Sequence, residues 1–251
     1  MPGTVYLVGA GPGAPDLLTL RAARLLESAD IVFHDALVNA EILALAGKAK
    51  MVAVGKRCGK HSTAQAFINK QLIDAARKYK VVVRLKGGDP MLFGRAQEEI
   101  DALRGAGINV EVVPGITAAL AASASLQVSL TRRGIARNVA FVTPRIGKAE
   151  KAGNWLDTAA SADTVVIYMG AGEAAAIANA LILQGRPAST PAAMIESASL
   201  ADEQWHFGTL AELAELAGLV GTGPAIIVLG EVLRDRAGAG SQLTEWVRKA
   251  G

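Results

Sequence analysis

The chain has 251 residues, 51% of them hydrophobic, 20% charged and 4% aromatic, and its formal net charge is +3. That is enough apolar material for a sizeable core, in one large domain or two small ones. The charge is too small to argue for nucleic acid, no apolar run reaches the roughly 18 residues of a membrane span, and one cysteine, Cys58, rules out an internal disulfide. The N-terminal MPGTVYLVGAG has no basic stretch or cleavage site, so no secretory leader is expected and the cytoplasm is the default. Cys58 has no CxxC partner and reads as a structural or incidental thiol. His34, His61 and His206 lack metal-ligand spacing, so no metal site is predicted.

Strands and helices alternate through the first half. Thr4 to Val8 reads as a strand, followed by the loop GAGPGAP. Asp16 to Glu27 reads as a helix with Leu17, Leu20, Ala23 and Leu26 on one face. Ile31 to Phe33 and Met51 to Val54 are short strands, and Thr63 to Lys78 is helical. Val81 to Leu85 is an apolar, β-branched run that stops at Lys86 and is followed by Gly87-Gly88-Asp89-Pro90. A run so bounded predicts a strand buried on both faces of a parallel sheet. Arg95 to Arg104 is helical, and Asn109 to Val113 closes the set. Such alternation predicts a parallel sheet with right-handed crossovers.

Pro114-Gly115 breaks the pattern. A small-residue helix is predicted from Thr117 to Ser125, then strands at Val139 to Thr143 and Thr164 to Met169, and a helix from Glu173 to Leu183. Further strands are predicted at Ala192 to Glu196, Trp205 to Leu210 and Ala225 to Val232. Their close spacing predicts a mixed sheet. The reading is an α/β chain with an N-terminal domain over 1–113, a C-terminal domain over 114–240, and a Gly/Ala-rich tail over 241–251 that frays. From Arg132 to Lys151 the chain carries six basic residues and one acid. Without aromatic interleaving, that stretch reads as a solvated basic face or as a field for an anionic substrate, rather than as a strand-binding groove.

Two loops invite a ligand. Gly9-Ala10-Gly11-Pro12-Gly13-Ala14 satisfies G-x-G-x-x-A after a strand, with Asp30 about twenty residues on, which is the pattern of a dinucleotide site. Against it, the helix begins late, and Pro12 removes an N–H from the stretch that would cradle pyrophosphate. Gly87 and Gly88 remove side chains just past a strand end, where ligands of open α/β sheets bind. The same four residues also suit an ordinary turn.

Taken together, GAGPGAPDLLTLRA, DALV, VGKRCGKHS, RLKGGDPMLFGR, EVVPGITAALAA and TVVIYMG resemble the tetrapyrrole methylases, and within them the uroporphyrinogen-III C-methyltransferases, over Val5 to about Val232. The resemblance implies a two-domain tetrapyrrole methylase fold with S-adenosylmethionine in the cleft between domains. It implies two successive methylations of uroporphyrinogen III, through precorrin-1, to precorrin-2, with S-adenosylhomocysteine released each time. It also implies a homodimer, with neither nucleic acid nor membrane as partner. Another tetrapyrrole methylase, acting on precorrin-2 or precorrin-4, is the alternative within the family.

Residue by residue, the resemblance carries cofactor contacts onto Pro12, Gly87, Gly88, Asp89, Leu92, Thr117, Ala118 and Met169, and onto Ala198 and Ala225. Asp35 and Lys56 match positions of a proton acceptor and a proton donor. Arg95, Glu98 and Arg133 match positions that face the tetrapyrrole. On the residues alone, Arg95 and Glu98 at i and i+3 make a plain surface ion pair, Met169 a core residue and Lys56 a solvated loop lysine. The chain departs from the family pattern in three places. Ala14 stands where relatives have Asp, Arg132 where many have His, and Pro144-Arg145 where a Gly-His pair is common.

Overall fold

The structure is a computed structural model that describes residues 2–54, 61–146 and 153–237. The chain divides into two compact units, Met1–Ala118 and Ala119–Gly251, a few residues past the Pro114-Gly115 break. Lys56, Cys58, Lys148, Lys151 and the tail lie outside the described residues.

Among the described residues the first unit holds a five-stranded parallel sheet of β1 (Thr4–Gly9), β2 (Ile31–His34), β3 (Lys50–Ala53), β4 (Val81–Lys86) and β5 (Asn109–Val113), in the order β3-β2-β4-β1-β5. Helices α1 (Leu20–Glu27), α2 (Ala40–Ala44), α3 (His61–Ala76) and α4 (Ala96–Gly105) connect the strands. Successive residues of a strand face opposite sides of its sheet, and β4 shows both sides in use. Val83 and Leu85 join Val8, Val32, Leu26 of α1 and Ile42 of α2. Val82 joins Leu7, Phe33, Leu72 of α3 and Leu103 of α4. Arg84 and Lys86 alternate with Leu85 and therefore point towards α3 and α4.

The second unit holds a mixed sheet of β6 (Val139–Val142), β7 (Thr164–Tyr168), β8 (Pro191–Glu196), β9 (Gln204–Thr209) and β10 (Ala225–Gly230), in the order β6-β7-β10-β8-β9. β6 and β7 run parallel and β10 is antiparallel to both of its neighbours. Helices α5 (Ala118–Leu126), α6 (Trp155–Ser161), α7 (Ala174–Leu183), α8 (Leu213–Leu219) and α9 (Arg234–Ala237) complete the element order. Val165, Ile167, Met194 and Ile227 meet Ala159 of α6, Leu181 of α7 and Leu213 of α8. Buried Arg186 donates to the carbonyls of Ala159 and Ala162, satisfying the last turn of α6.

The structure corrects several expectations. The helix expected from Asp16 starts at Leu20, because Thr19 caps it by accepting from the Ala22 N–H at 3.2 Å. Of the expected face Leu17, Leu20, Ala23 and Leu26, only Leu26 is fully buried; Leu20 is exposed, and Ala22 shares the buried side with Leu26. β4 ends at Lys86, one residue beyond the expected Leu85. Arg95 and Met169, expected inside elements, sit just outside them with positive φ. The strand expected to reach Val232 ends at Gly230, where a short helical turn takes over.

Candidate active site

The carboxyl ends of β1, β4 and β5 are locked together by glycines. Past β1, the Gly11 N–H donates to the Gly88 carbonyl at 3.2 Å and the Gly88 N–H to the Gly11 carbonyl at 2.7 Å. A Cβ on Gly9 would lie 2.6 Å from both Cα and N of Gly115 and 2.7 Å from the Gly88 carbonyl oxygen. One on Gly115 would collide with that same oxygen and with Gly9 Cα. Only bare backbone fits where the three loops meet. On their other side the glycines stay open. A Cβ at Gly87 would meet only Leu37 Cβ at 3.7 Å, and one at Gly88 only Thr117 Cα at 3.9 Å. Backbone is thus presented at the strand ends without side chains in front of it.

Asp89 organises this edge. Its Oδ2 accepts from the Gly115 N–H at 2.9 Å, and its Oδ1 from the Met91 N–H at 2.8 Å. One carboxylate thereby ties the loop after β4 to the loop after β5. The Leu92 N–H donates to the Asp89 carbonyl, continuing the turn. Gly13 is held from the β2 side, its carbonyl accepting from Asn39 at 3.3 Å. Pro12 and Asp89 are half-buried, Gly87 is exposed and Thr117 is buried. The structure thus brings Pro12, Gly87, Gly88, Asp89, Leu92 and Thr117 to one edge of the first sheet.

Below that edge lies a buried cluster of charges that the sequence reading missed. The Glu99 side chain is fully buried and accepts from Lys86 at 3.1 Å on each oxygen. Its Oε1 also accepts from Arg84 Nε at 3.1 Å and from Gln65 at 3.2 Å. Arg84 in turn donates to Asp35 Oδ1 at 2.6 Å and to the Leu85 carbonyl at 3.2 Å. Burial, and then the neighbouring Arg84 charge, hold the Lys86 ammonium below its ordinary pKa, against the pull of Glu99. Asp35 is the first residue past β2, and its side chain is about a third exposed. One signal for Glu99 was available. It stands three residues after Ala96 and four before Leu103, on the apolar stripe of α4, where an acid needs a buried partner.

In the second unit, Met169, Ala198 and Ala225 gather at one end of the mixed sheet. Met169 follows β7, Ala225 opens β10 opposite Glu196, and Ala198 lies two residues past the end of β8. Met169 is exposed at φ 57°, an unusual backbone for a residue with a side chain, and Ala198 is buried. Beside Met169, the Tyr168 hydroxyl accepts from the Ala119 N–H at 3.2 Å, next in sequence to Ala118. Glu196 accepts from the Gly221 and Gly223 N–H groups at 2.8 and 2.6 Å, holding the loop that leads into β10.

Arg95 and Glu98 form a bidentate surface pair, both bonds 2.7 Å. That pairing, chiefly its hydrogen bonds, holds the Glu98 carboxyl below the usual carboxylate range. Arg133 is exposed on the turn closed by the Arg132–Ala136 bridge, and Arg132 pairs with Asp235 at 2.6 Å.

The dinucleotide reading of the first loop fails on geometry. A short helical turn at Pro15–Leu17 and extended residues Leu18 and Thr19 separate the glycines from the start of α1, so α1 does not open directly after them as the pattern requires. β1 is flanked by β4 and β5, whereas the dinucleotide fold places β2 beside β1. What remains is a parallel α/β unit with a glycine-built strand edge, followed by a mixed-sheet unit. The model of the tetrapyrrole (corrin/porphyrin) methylases matches residues 4–214, and the chain belongs to that family. Uroporphyrinogen-III C-methyltransferase of Pseudomonas aeruginosa is 47% identical over 236 residues, 94% of this chain and 96% of that protein. The siroheme synthase of Pseudomonas fluorescens is 46% identical over 236 residues, 93% of this chain, and this chain spans only 51% of that relative's length. Among solved structures, uroporphyrin-III C-methyl transferase from Thermus thermophilus, complexed with S-adenyl homocysteine, matches with a TM-score of 0.81. It is 43% identical, over 93% of this chain and 100% of that one.

Proposed function

We propose that this chain is an S-adenosylmethionine-dependent C-methyltransferase. It methylates uroporphyrinogen III twice, through precorrin-1, to give precorrin-2 for sirohaem, cobalamin or haem d1 synthesis. The observation that carries the reading is the nearly end-to-end match, at 47% identity, to a protein named for that reaction. The open backbone at Gly87 and Gly88 supports a ligand that approaches the main chain closely, as S-adenosylmethionine would. In this reading Pro12, Gly87, Gly88, Asp89, Leu92, Thr117, Ala118, Met169, Ala198 and Ala225 hold the cofactor. The reading extends to a homodimeric, cytoplasmic enzyme.

When bound, S-adenosylmethionine supplies an electrophilic methyl group on a sulfonium. The nucleophile is an electron-rich pyrrole carbon, so the chain's own task is alignment and exclusion of water. Attack leaves positive charge on the pyrrole. Asp35 stabilises that charge and accepts a proton, and Lys56 gives one back only where a second is removed, so each methyl gained costs the tetrapyrrole one proton overall. Arg95, with Glu98 fixing its fork, and Arg133 grip the carboxylates of the tetrapyrrole.

The test is anaerobic incubation of the purified protein with uroporphyrinogen III and S-adenosylmethionine, followed by mass and absorption spectra of the products. A gain of two methyl groups with the precorrin-2 chromophore is expected. Methylation of precorrin-2 but not of uroporphyrinogen III would move the substrate to a later step.

A further inference from the structure

The buried charges beneath the strand edge have a direction. Glu99 is fully buried, Arg84 and Lys86 are nearly so, and of the four ionised groups only Asp35 reaches solvent appreciably. Two cations face two carboxylates, so the Asp35 carboxylate completes the charge balance. Arg84 sits at the centre and uses three sides of its planar fork. Nε goes to Glu99 at 3.1 Å, one terminal nitrogen to Asp35 at 2.6 Å, and the other to the Leu85 carbonyl at 3.2 Å. Glu99 is itself pinned by Lys86 and Gln65. A guanidinium bonded on three sides is held in place, and it offers the Asp35 carboxylate a fixed donor at Oδ1. Stability alone is a weak reason for such a cluster, since apolar side chains of similar volume serve a core as well.

We propose that Arg84 is a positioning residue for Asp35. Its guanidinium, held from behind by Glu99 and Lys86, fixes the Asp35 carboxylate at the end of β2 in the orientation the methylation chemistry requires. The proposal rests on the reading of Asp35 as the group that meets the pyrrole. Burial first, and the Arg84 charge after it, depress the Lys86 pKa, and the carboxylate of Asp35, with that of Glu99, works against them.

Arg84→Lys keeps the charge and loses the three-sided fork. In steady-state methylation of uroporphyrinogen III, its kcat should fall on the order of 10- to 100-fold, the scale of a misplaced reacting group. KM, S-adenosylhomocysteine affinity by calorimetry and the circular dichroism spectrum should stay close to wild type. Asp35→Asn should also be slow, and the double variant no slower than Asp35→Asn alone, because Arg84 acts through Asp35. Should Arg84→Lys fail to fold, Asp35→Glu asks the same question from the exposed end. It shifts the carboxylate by one methylene and should lower kcat with KM kept. A folded Arg84→Lys with wild-type kcat, an additive loss in the double variant, or full activity of Asp35→Glu overturns the proposal while leaving the role of Asp35 standing. An Asp35→Asn variant at wild-type rate instead overturns the reading of Asp35 itself.

Discussion

Gly9→Ala adds one methyl group where the loops after β1, β4 and β5 meet. Gly9 is not among the residues with positive φ, so the alanine backbone is unstrained and the effect is purely one of space. The new Cβ would sit 2.6 to 2.7 Å from three atoms, Gly115 Cα, Gly115 N and the Gly88 carbonyl oxygen. Carbon contacts are optimal at about 3.5–4.0 Å, so each approach is short by roughly 1 Å. Overpacking costs about 1–3 kcal/mol when side chains can shift. Here every colliding atom is backbone, which points to the upper figure, about 3 kcal/mol. For a chain of this size that corresponds to a Tm lower by roughly 6–12 °C. Gly105→Ala is the matched control. Gly105 is the exposed last residue of α4, nothing lies within 4 Å of its added Cβ, and its φ is not positive. That change should raise stability by up to about 1 kcal/mol through helix propensity. Thermal melts followed by circular dichroism measure both, and calorimetry with S-adenosylhomocysteine should show weakened binding for Gly9→Ala alone. A Gly9→Ala protein that melts with the wild type would refute the interlocked-loop geometry.

Other outcomes follow from contacts at the two units. Asp89→Ala frees the Gly115 and Met91 N–H groups, so the strand edge should loosen by about 1–3 kcal/mol. S-adenosylhomocysteine should bind more weakly, and unchanged affinity by calorimetry would detach Asp89 from the cofactor. Arg133→Ala should raise the KM for the tetrapyrrole more than it alters cofactor affinity, and an effect confined to the cofactor would contradict a substrate role. Arg95 depresses the Glu98 pKa in the folded state. The pair therefore contributes above the unfolded glutamate value, near 4.5, and its contribution disappears as pH falls through the lower folded value. Urea midpoints of wild type and Glu98→Gln should differ at neutral pH and converge on acidification. A gap that stays unchanged however far the pH falls below the unfolded glutamate value, while the protein remains folded, would show that Glu98 acts through packing instead of charge.

Strand positions were legible because β-branched runs between glycines and prolines have few other readings. Val81–Lys86 and Asn109–Val113 are the clearest cases. Helices α2, α6, α8 and α9 were missed. Each is seven residues or fewer and too short for a 3.6-residue period to emerge. The start of α1 was misplaced because Leu17 and Leu20 continue an apolar spacing that the Thr19 cap cuts. The glycine-bearing strand ends were visible, but their interlocking was not. It depends on β4 lying beside β1, and sequence spacing carries no strand order. The Arg84–Glu99–Lys86 cluster was hidden for a related reason. A lysine after an apolar run reads as the end of burial, and only the α4 partner reveals why the charge stays inside.

The contacts that build the strand edge join residues 9, 88 and 115, which lie far apart along the chain. Closing loops of that length costs entropy before any contact rewards it. The edge therefore exists only once β4 has entered between β2 and β1 and β5 has been added. A ligand held there binds the assembled first unit and not its unfolded chain. By mass action it raises the unfolding free energy of all five strands together, by about 2.7 kcal/mol at a hundredfold excess over its Kd. Core substitutions distant from the loops, such as Leu7 or Val82 to alanine, would then weaken apparent ligand affinity when the unit is marginally stable. Their apparent binding defects would be folding defects, separable by repeating the titration at lower temperature.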